Sequence, residues 1–154
     1  MKKVSLLCRT FAVLLLIVVT LAACKTSIAY TFTIATGDKI EIKLNTSEDW
    51  SLKQKDGAFT ILHGEDTILK GLFGTEDNYK DMKEAIESDD KAKVIKESEK
   101  DGNQYIFYSY EGSSGMERDV ILMVKDAKTC VIMAGNAEEQ DVNEAIERLT
   151  ITKD

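Results

Sequence analysis

Apolar and polar residues alternate along several short segments of this chain, and turns rich in glycine, asparagine or aspartate separate the segments. The clearest segment places Ile40, Ile42 and Leu44 alternately with the charged residues Glu41 and Lys43. A period of two is typical of a β-strand with one buried and one solvated face. On the same criteria we predict further strands over residues 30–34, 51–54, 58–62, 67–73 and 93–98.

Three later segments differ, because they are apolar at consecutive positions. They cover residues 105–108, 120–124 and 130–134. A strand that is apolar on both faces has to be covered on both faces. The Gly-Ser-Ser-Gly stretch at 112–115 predicts the turn of a long hairpin that joins the first two of these strands.

Two segments have the period of a helix, and they are the elements that would cover the sheet. Their apolar stripes are Tyr79, Met82, Ala85 and Ile86 in the first, and Val142, Ala145, Ile146 and Leu149 in the second. Glu76 and Asp77 would lie at the N-terminal end of the first helix, where the helix dipole favours negative charge. For the second helix we predict a span of residues 138–148, with Asn136 as the N-cap and Glu139 three residues later.

The predicted elements follow one another as a run of strands, a helix, a four-stranded meander, a second helix and a short tail. This order predicts an α+β domain with a mainly antiparallel β-sheet and two helices. The early strands, the turn at 45–50, the mid-chain helix, the hairpin at 105–124 and the final helix resemble the PsbP/Mog1-like α/β/α sandwich. A tryptophan commonly follows the first hairpin's loop in that family, and Trp50 stands in the corresponding place. The resemblance covers most of residues 30–152 and implies a binding or assembly role, but it transfers no site residues.

The N-terminal 23 residues have the pattern of a signal peptide. Their charged residues are Lys2, Lys3 and Arg9, and an apolar run follows over residues 11–21. That run is shorter than the roughly 20 residues that a membrane-spanning helix needs. The segment ends in Leu21, Ala22, Ala23 and Cys24, which resemble the lipobox of bacterial lipoproteins.

The lipobox resemblance implies that a peptidase recognises Leu21, Ala22 and Ala23 and cuts before Cys24, which carries a diacylglyceryl group. Two acyl chains give a stable anchor, whereas one chain binds membranes only marginally. The predicted organisation is a signal peptide at 1–23, a lipidated cysteine with a short tether at 24–29, and one extracytoplasmic domain at 30–154. We expect the domain at the cell membrane, anchored by lipid and facing away from the cytoplasm. The alternatives are a secreted protein cut after Ala23 and an uncleaved membrane anchor.

Net charge limits the partners of this domain. Removing the three cations of the signal peptide leaves 17 Lys and Arg against 27 Asp and Glu, a net charge near −10. An acidic domain repels phosphate backbones, so we expect no nucleic-acid partner. The partners we predict are membrane lipid, through acylated Cys24, and an envelope protein.

Cys130 stands in an apolar strand, which predicts a buried and unreactive thiol.

Residues that carry catalytic chemistry are sparse in this sequence. His63 is the single histidine and precedes Gly64, which predicts a solvated turn residue rather than a general base. The chain has no Gly-x-Ser-x-Gly elbow and no P-loop or dinucleotide-binding glycine pattern, and one histidine with one cysteine is too few for zinc. We therefore predict no catalytic residue, no cofactor and no metal. Calcium is the alternative, at residues 87–90 or at Asp38 with Glu41, although neither has the EF-hand spacing.

An aromatic cluster is the remaining candidate for ligand contact. It consists of Tyr105, Phe107, Tyr108 and Tyr110. Strand alternation puts the first two on one face of the sheet and the last two on the other. Core packing is the favoured interpretation, and an exposed tyrosine row that binds a sugar or a peptide is the alternative.

These observations predict a non-catalytic binding or envelope-assembly module. Two other classes stay open: a small hydrolase that uses carboxylates such as Glu111 and Glu117 across the long hairpin, and a structural or stress-related surface lipoprotein. A deep pocket lined by paired carboxylates would favour the hydrolase. An exposed apolar patch of roughly several hundred Å² would favour a partner-binding module.

Overall fold

The computed structural model describes residues 26–154, which form ten strands and two helices. The strands are β1 Ser27–Thr33, β2 Lys39–Asn45, β3 Trp50–Lys55, β4 Ala58–His63, β5 Asp66–Thr75, β6 Ala92–Lys100, β7 Asn103–Gly112, β8 Gly115–Met123, β9 Thr129–Ala134 and β10 Leu149–Lys153. The helices are α1 Glu76–Ser88 and α2 Glu139–Arg148. No helix within this part of the chain is long and apolar enough to cross a bilayer.

The strands form two antiparallel sheets. Seven of them pair in the order β3-β4-β5-β9-β8-β7-β6, and three pair in the order β1-β2-β10. The prediction of an α+β domain with a mainly antiparallel sheet and two helices is therefore confirmed. The PsbP/Mog1-like family stays a prediction.

The larger core lies between one face of the seven-stranded sheet and a layer made of the three-stranded sheet and α2. Its fully buried members include Ile42 from β2, Phe59 from β4, Val120 from β8 and Ala145 from α2. This burial explains the alternation along β2, because every apolar side chain of that strand points into the core while its charged neighbours point away.

The smaller core lies on the opposite face of the seven-stranded sheet, beneath α1. Tyr79 and Ile86 of α1 pack there on Ile106, Ile121 and Cys130. Strands β7, β8 and β9 thus have apolar partners on both faces, as their consecutive apolar residues predict. Cys130 is fully buried, in agreement with its prediction as a small hydrophobic side chain, and burial raises the pKa of its thiol.

The N-termini of the two helices are capped differently. Thr75 caps α1 in a capping box with Asn78, since each side chain accepts a hydrogen bond from the backbone of the other residue. The predicted N-cap of α2, Asn136, is wrong: Glu138 occupies that position and makes no side-chain capping bond. Arg118 explains the shift, because its guanidinium donates to the Ala137 carbonyl at 2.9 Å and pairs with Glu138, which holds this segment extended.

A lysine from a distant strand binds the free carbonyl groups at the C-terminus of α2. Lys100 Nζ donates to the carbonyls of Ile146 and Glu147, both at 2.8 Å, and to the carbonyl of Leu149. A cation at the last carbonyls of a helix also complements the helix dipole.

At the same end of α2, the Arg148 guanidinium lies over the ring of Trp50 from strand β3. Edge strands of a flat seven-stranded sheet would be about 29 Å apart, so this sheet curves around α2.

The two ends of the domain differ from the prediction. The segment after α2, predicted as a short tail, is strand β10, whose Leu149 and Ile151 are buried opposite Leu44 and Ile42. At the other end, β1 begins at Ser27, inside the segment predicted as a tether, because residues 27–29 pair with the last residues of β2. The signal peptide and the predicted lipidation residues Leu21, Ala22, Ala23 and Cys24 lie outside the described residues.

Candidate ligand-binding cleft

A cleft of about 290 Å³ opens between α1 and the strands β6, β7 and β8. It is lined by Met82, Ala85 and Ile86 of α1, by Asp89 and Ala92 after that helix, by Tyr108 and Tyr110 of β7, and by Glu117 and Asp119 of β8. Its volume is near the lower end of the roughly 300–1,000 Å³ that is common for small-molecule sites. The lining combines an apolar floor with converging polar groups, as such sites usually do.

Strand register explains why these side chains meet. Tyr108 lies directly opposite Asp119, and Tyr110 lies opposite Glu117. Alternate residues of a strand share a face, so all four side chains project from the same side of the sheet. The next pair along this row, Ile106 with Ile121, is buried beneath α1. The row therefore changes from apolar to polar where the cover of the helix ends.

Asp119 is the most deeply placed carboxylate of the cleft, with only 9% of its surface exposed. Its Oδ1 accepts a hydrogen bond from the backbone N–H of Gly135 at 3.3 Å. Burial raises the pKa of Asp119 to about 6, and this effect outweighs the lowering by the Gly135 N–H and the Tyr108 hydroxyl. The neighbouring charge of Glu117 raises the pKa further.

Tyr108 is buried and Tyr110 is half-buried. Burial, followed by the charge of Asp119, raises the pKa of Tyr108 well above its ordinary value, so the hydroxyl is a neutral donor. The predicted division of the aromatic cluster is confirmed, because Tyr105 and Phe107 lie in the larger core while Tyr108 and Tyr110 lie on the α1 side. The tyrosine pair thus contributes both to packing and to the wall of the cleft.

The charges of the cleft are all of one sign. Asp89, Glu117 and Asp119 line it, and among residues 26–154 no lysine, arginine or histidine does. Within residues 26–154, none of these three carboxylates takes part in a salt bridge. The described lining therefore gives the cleft a negative potential that none of its own side chains balances.

Replacement of Asp119 by asparagine is expected to stabilise the domain at neutral and higher pH. A folded pKa above the unfolded value means that the contribution of Asp119 to stability is full below about pH 4 and is lost as the pH rises through about 6. Asparagine retains an acceptor for Gly135 but carries no charge. We expect the free energy of unfolding to rise by about 1 kcal/mol at pH 8 and to change little at pH 4.

Urea unfolding at both pH values measures this effect, with Asp81→Asn as the control. Asp81 lies exposed on α1 and does not line the cleft. An Asp119→Asn variant that is no more stable than wild type at pH 8 would show that burial does not penalise this carboxylate.

The carboxylates predicted for the hydrolase alternative do not share a face. Glu111 pairs with Met116, whereas Glu117 pairs with Tyr110. The two glutamates therefore project from opposite sides of the hairpin. The carboxylate that does accompany Glu117 is Asp119, two residues along the same strand. One sequence signal marked it: it is the last of three consecutive charged residues before the apolar stretch Val120–Met123.

His63 is not the solvated turn residue that we predicted, because its ring stacks on Trp50. The two ring centroids are 4.6 Å apart and the planes differ by 7°. The residue is half-buried at the end of β4, where Trp50 is its cross-strand partner. This stack is a packing arrangement that the turn composition around Gly64 does not reveal.

A second, larger concavity of about 700 Å³ lies beside α2, and its lining is wholly polar. It is lined by Asn45, Ser47, Gln140, Asn143, Glu144, Glu147, Arg148 and Thr150. Arg148, the cation among these residues, is already engaged, since it binds Ser47 and forms ion pairs with Glu48 and Glu144. Because no apolar residue is among those that line it, this concavity offers little to hold an organic ligand.

The two carboxylate groups considered for calcium serve other purposes. Asp38 forms an ion pair with Lys153 at 2.9 Å, and Asp89 accepts a hydrogen bond from the backbone of Lys91. In the described part of the chain, no three His, Cys, Asp or Glu side chains are grouped so as to hold a metal ion.

Comparisons with known proteins do not assign a function to this cleft. No family model matches the chain, and no curated protein is significantly similar to it in sequence.

Proposed function

We propose that this protein is a lipid-anchored extracytoplasmic binding module whose ligand site is the cleft between α1 and strands β6, β7 and β8. The observation that carries the proposal is the lining of this cleft, which combines apolar side chains with two tyrosines and three carboxylates. Converging polar groups above an apolar floor favour specific binding. The expected partner is a protein or small molecule of the envelope.

The position of β1 supports a role close to the membrane. Thr26 O accepts a hydrogen bond from Thr46 N at 2.8 Å, and β1 begins at Ser27, so the ordered domain starts two residues after Cys24. A linker this short spans at most about 10 Å when extended. A diacylglyceryl group on Cys24 would therefore keep the domain at the headgroups. The net negative charge would not hold it there, because anionic headgroups repel it.

A small hydrolase is the second candidate, and one observation favours it. Glu117 and Asp119 line one cleft, and the pKa of Asp119 is raised to about 6, as a general acid would require. In that case Asp119 would donate a proton and Glu117 would act as the base. Turnover that disappears in both Asp119→Asn and Glu117→Gln would select the hydrolase over the binding module.

The anchor is tested by the intact mass of membrane-extracted protein. We expect wild type to begin at Cys24 with a diacylglyceryl mass, and Cys24→Ser to lose both the lipid and the membrane fractionation. Cys8→Ser is the matched control, because Cys8 leaves with the signal peptide and its replacement should change neither result. An unmodified soluble wild-type chain would disprove the anchor.

The binding role is tested by a pull-down from gently solubilised envelopes. We expect a stoichiometric partner with wild type and its loss with Tyr110→Ala in the cleft. Leu72→Ala is the matched control, since Leu72 is 58% exposed on β5 and does not line the cleft. Equal capture by both variants would place the binding surface elsewhere.

A further inference from the structure

We infer that the cleft binds an alkylammonium group, with the ammonium beside Glu117 and Asp119 and the hydrocarbon stem along α1. The inference rests on the proposed function, because it specifies the ligand of the same cleft. Three properties of the lining lead to this chemistry: its charge, its apolar floor and its tyrosines.

Charge determines the sign of the ligand. Three carboxylates face the cleft and no residue of its described lining is positive, so an anion would be repelled. Asp119 is buried in an environment that disfavours its charge, and its donors, the backbone N–H of Gly135 at 3.3 Å and the Tyr108 hydroxyl, are both neutral. A cation placed beside it would stabilise the ionised form. The cleft thus complements a positive group that the described part of the chain does not supply.

The apolar floor distinguishes an organic cation from a metal ion. This floor consists of Met82, Ala85 and Ile86 of α1, and Ala92 extends it. A hard divalent cation takes six or more oxygen ligands, and no metal-holding group of carboxylates exists within residues 26–154. An alkylammonium ion uses both parts of the site, because its hydrocarbon stem contacts the apolar floor and its ammonium group contacts the carboxylates.

The tyrosines favour the same ligand. Tyr108 and Tyr110 project into the cleft beside the carboxylates, and aromatic rings attract ammonium groups through their electron-rich faces. The volume of about 290 Å³ suits a short chain rather than a large ligand. Two sources carry this chemistry: a free amine, and a lysine side chain of a partner protein.

The test is titration calorimetry of the full lipidated chain in neutral detergent, with n-pentylammonium as the probe. Neutral 1-pentanol and anionic pentanoate have the same stem and serve as matched ligands. We expect n-pentylammonium to bind about tenfold more tightly than 1-pentanol, and pentanoate not to bind. Glu117→Gln and Asp119→Asn should each weaken n-pentylammonium by about tenfold, while Asp81→Asn on the exposed side of α1 should not.

Two further probes distinguish the sources. The peptide Gly-Lys-Gly represents a partner's lysine and cadaverine represents a free amine, so tighter binding of one identifies the source.

Equal affinity for n-pentylammonium and 1-pentanol would overturn the inference while leaving the cleft as an apolar binding site. Absence of binding by every amine probe would also overturn it. Glu117→Gln tests the inference independently of the effect of Asp119→Asn on stability, because Glu117 is only half-buried. The pull-down with Tyr110→Ala tests the proposed function separately.

Discussion

Replacing Asp38 by alanine is expected to lower the free energy of unfolding by about 3 kcal/mol, because it removes the acceptor shared by a buried hydroxyl, a backbone N–H and an ammonium group. Asp38 is 6% exposed. Its Oδ2 accepts from the backbone N–H of Lys128 and from the hydroxyl of Thr129, both at 2.8 Å. Its Oδ1 pairs with Lys153 Nζ at 2.9 Å. One side chain therefore joins the start of β2, the start of β9 and the end of β10.

The contribution of Asp38 should depend on pH. The hydrogen bond from Lys153 is the largest effect and, with those from Thr129 and Lys128, lowers the pKa of Asp38 to about 2 although burial opposes it. A lowered folded pKa means that the contribution is fully present above the unfolded value of about 4 and is lost as the pH falls through about 2. Wild type should lose about 1–2 kcal/mol more than Asp38→Ala between pH 4 and pH 2.

Urea unfolding monitored by circular dichroism at pH 7, 4 and 2 measures both effects. Asp81→Ala is the control, since Asp81 lies exposed on α1 and makes no salt bridge among residues 26–154. The network would not be a determinant of stability if Asp38→Ala unfolded within about 0.5 kcal/mol of wild type, the usual range for surface substitutions.

Replacing Gly71 by alanine is the second change with a large expected effect. A Cβ at Gly71 would lie 2.0 Å from Cζ of Phe59, its cross-strand partner. Phe59 is 1% exposed, and its ring centroid lies 6.1 Å from that of Phe32 and 5.9 Å from that of Phe73, so it has little room to move. Overpacking a close-packed core costs about 1–3 kcal/mol, and we expect the upper end of this range.

A double variant separates overpacking from the intrinsic cost of alanine. Phe59→Leu removes the ring atoms that meet the new Cβ, so adding Gly71→Ala to it should destabilise the domain much less than adding Gly71→Ala to wild type. Gly112→Ala is the matched control, because its Cβ would meet the flexible end of Glu117 at 3.3 Å and the Gly115 carbonyl oxygen at an ordinary contact distance of 3.6 Å. Additive losses in the double variant would contradict the assignment of the clash to Phe59.

Local patterns in the sequence predict most of this fold. The alternation of Ile40, Ile42 and Leu44 predicts β2, and the 3.6-residue stripes predict both helices within a few residues of their observed bounds. Consecutive apolar residues in β7, β8 and β9 predict cover on both faces, which the two cores confirm. These patterns succeed because burial of a face repeats with the period of the backbone.

The elements that the sequence patterns miss depend on distant partners. Leu149 has the spacing of the α2 stripe, yet it begins β10, because strand β2 offers its edge to the residues that follow the helix. The N-cap shifts from Asn136 to Glu138 because Arg118 binds the segment between them. Neither outcome is visible in a window of ten residues, since the deciding atoms come from other strands.

Local sequence patterns also fail to predict the cleft. Strand alternation predicts that Tyr108 and Tyr110 share a face, but only the register between β7 and β8 places Asp119 and Glu117 opposite them. Only tertiary packing removes Asp119 from water and so raises its pKa. The residue order thus specifies most of the strands, both helices and the net charge, because these depend on the residues themselves and on near neighbours along the chain. The cleft and its balance of charge arise from contacts between segments far apart in sequence, which tertiary packing alone brings within range of one another.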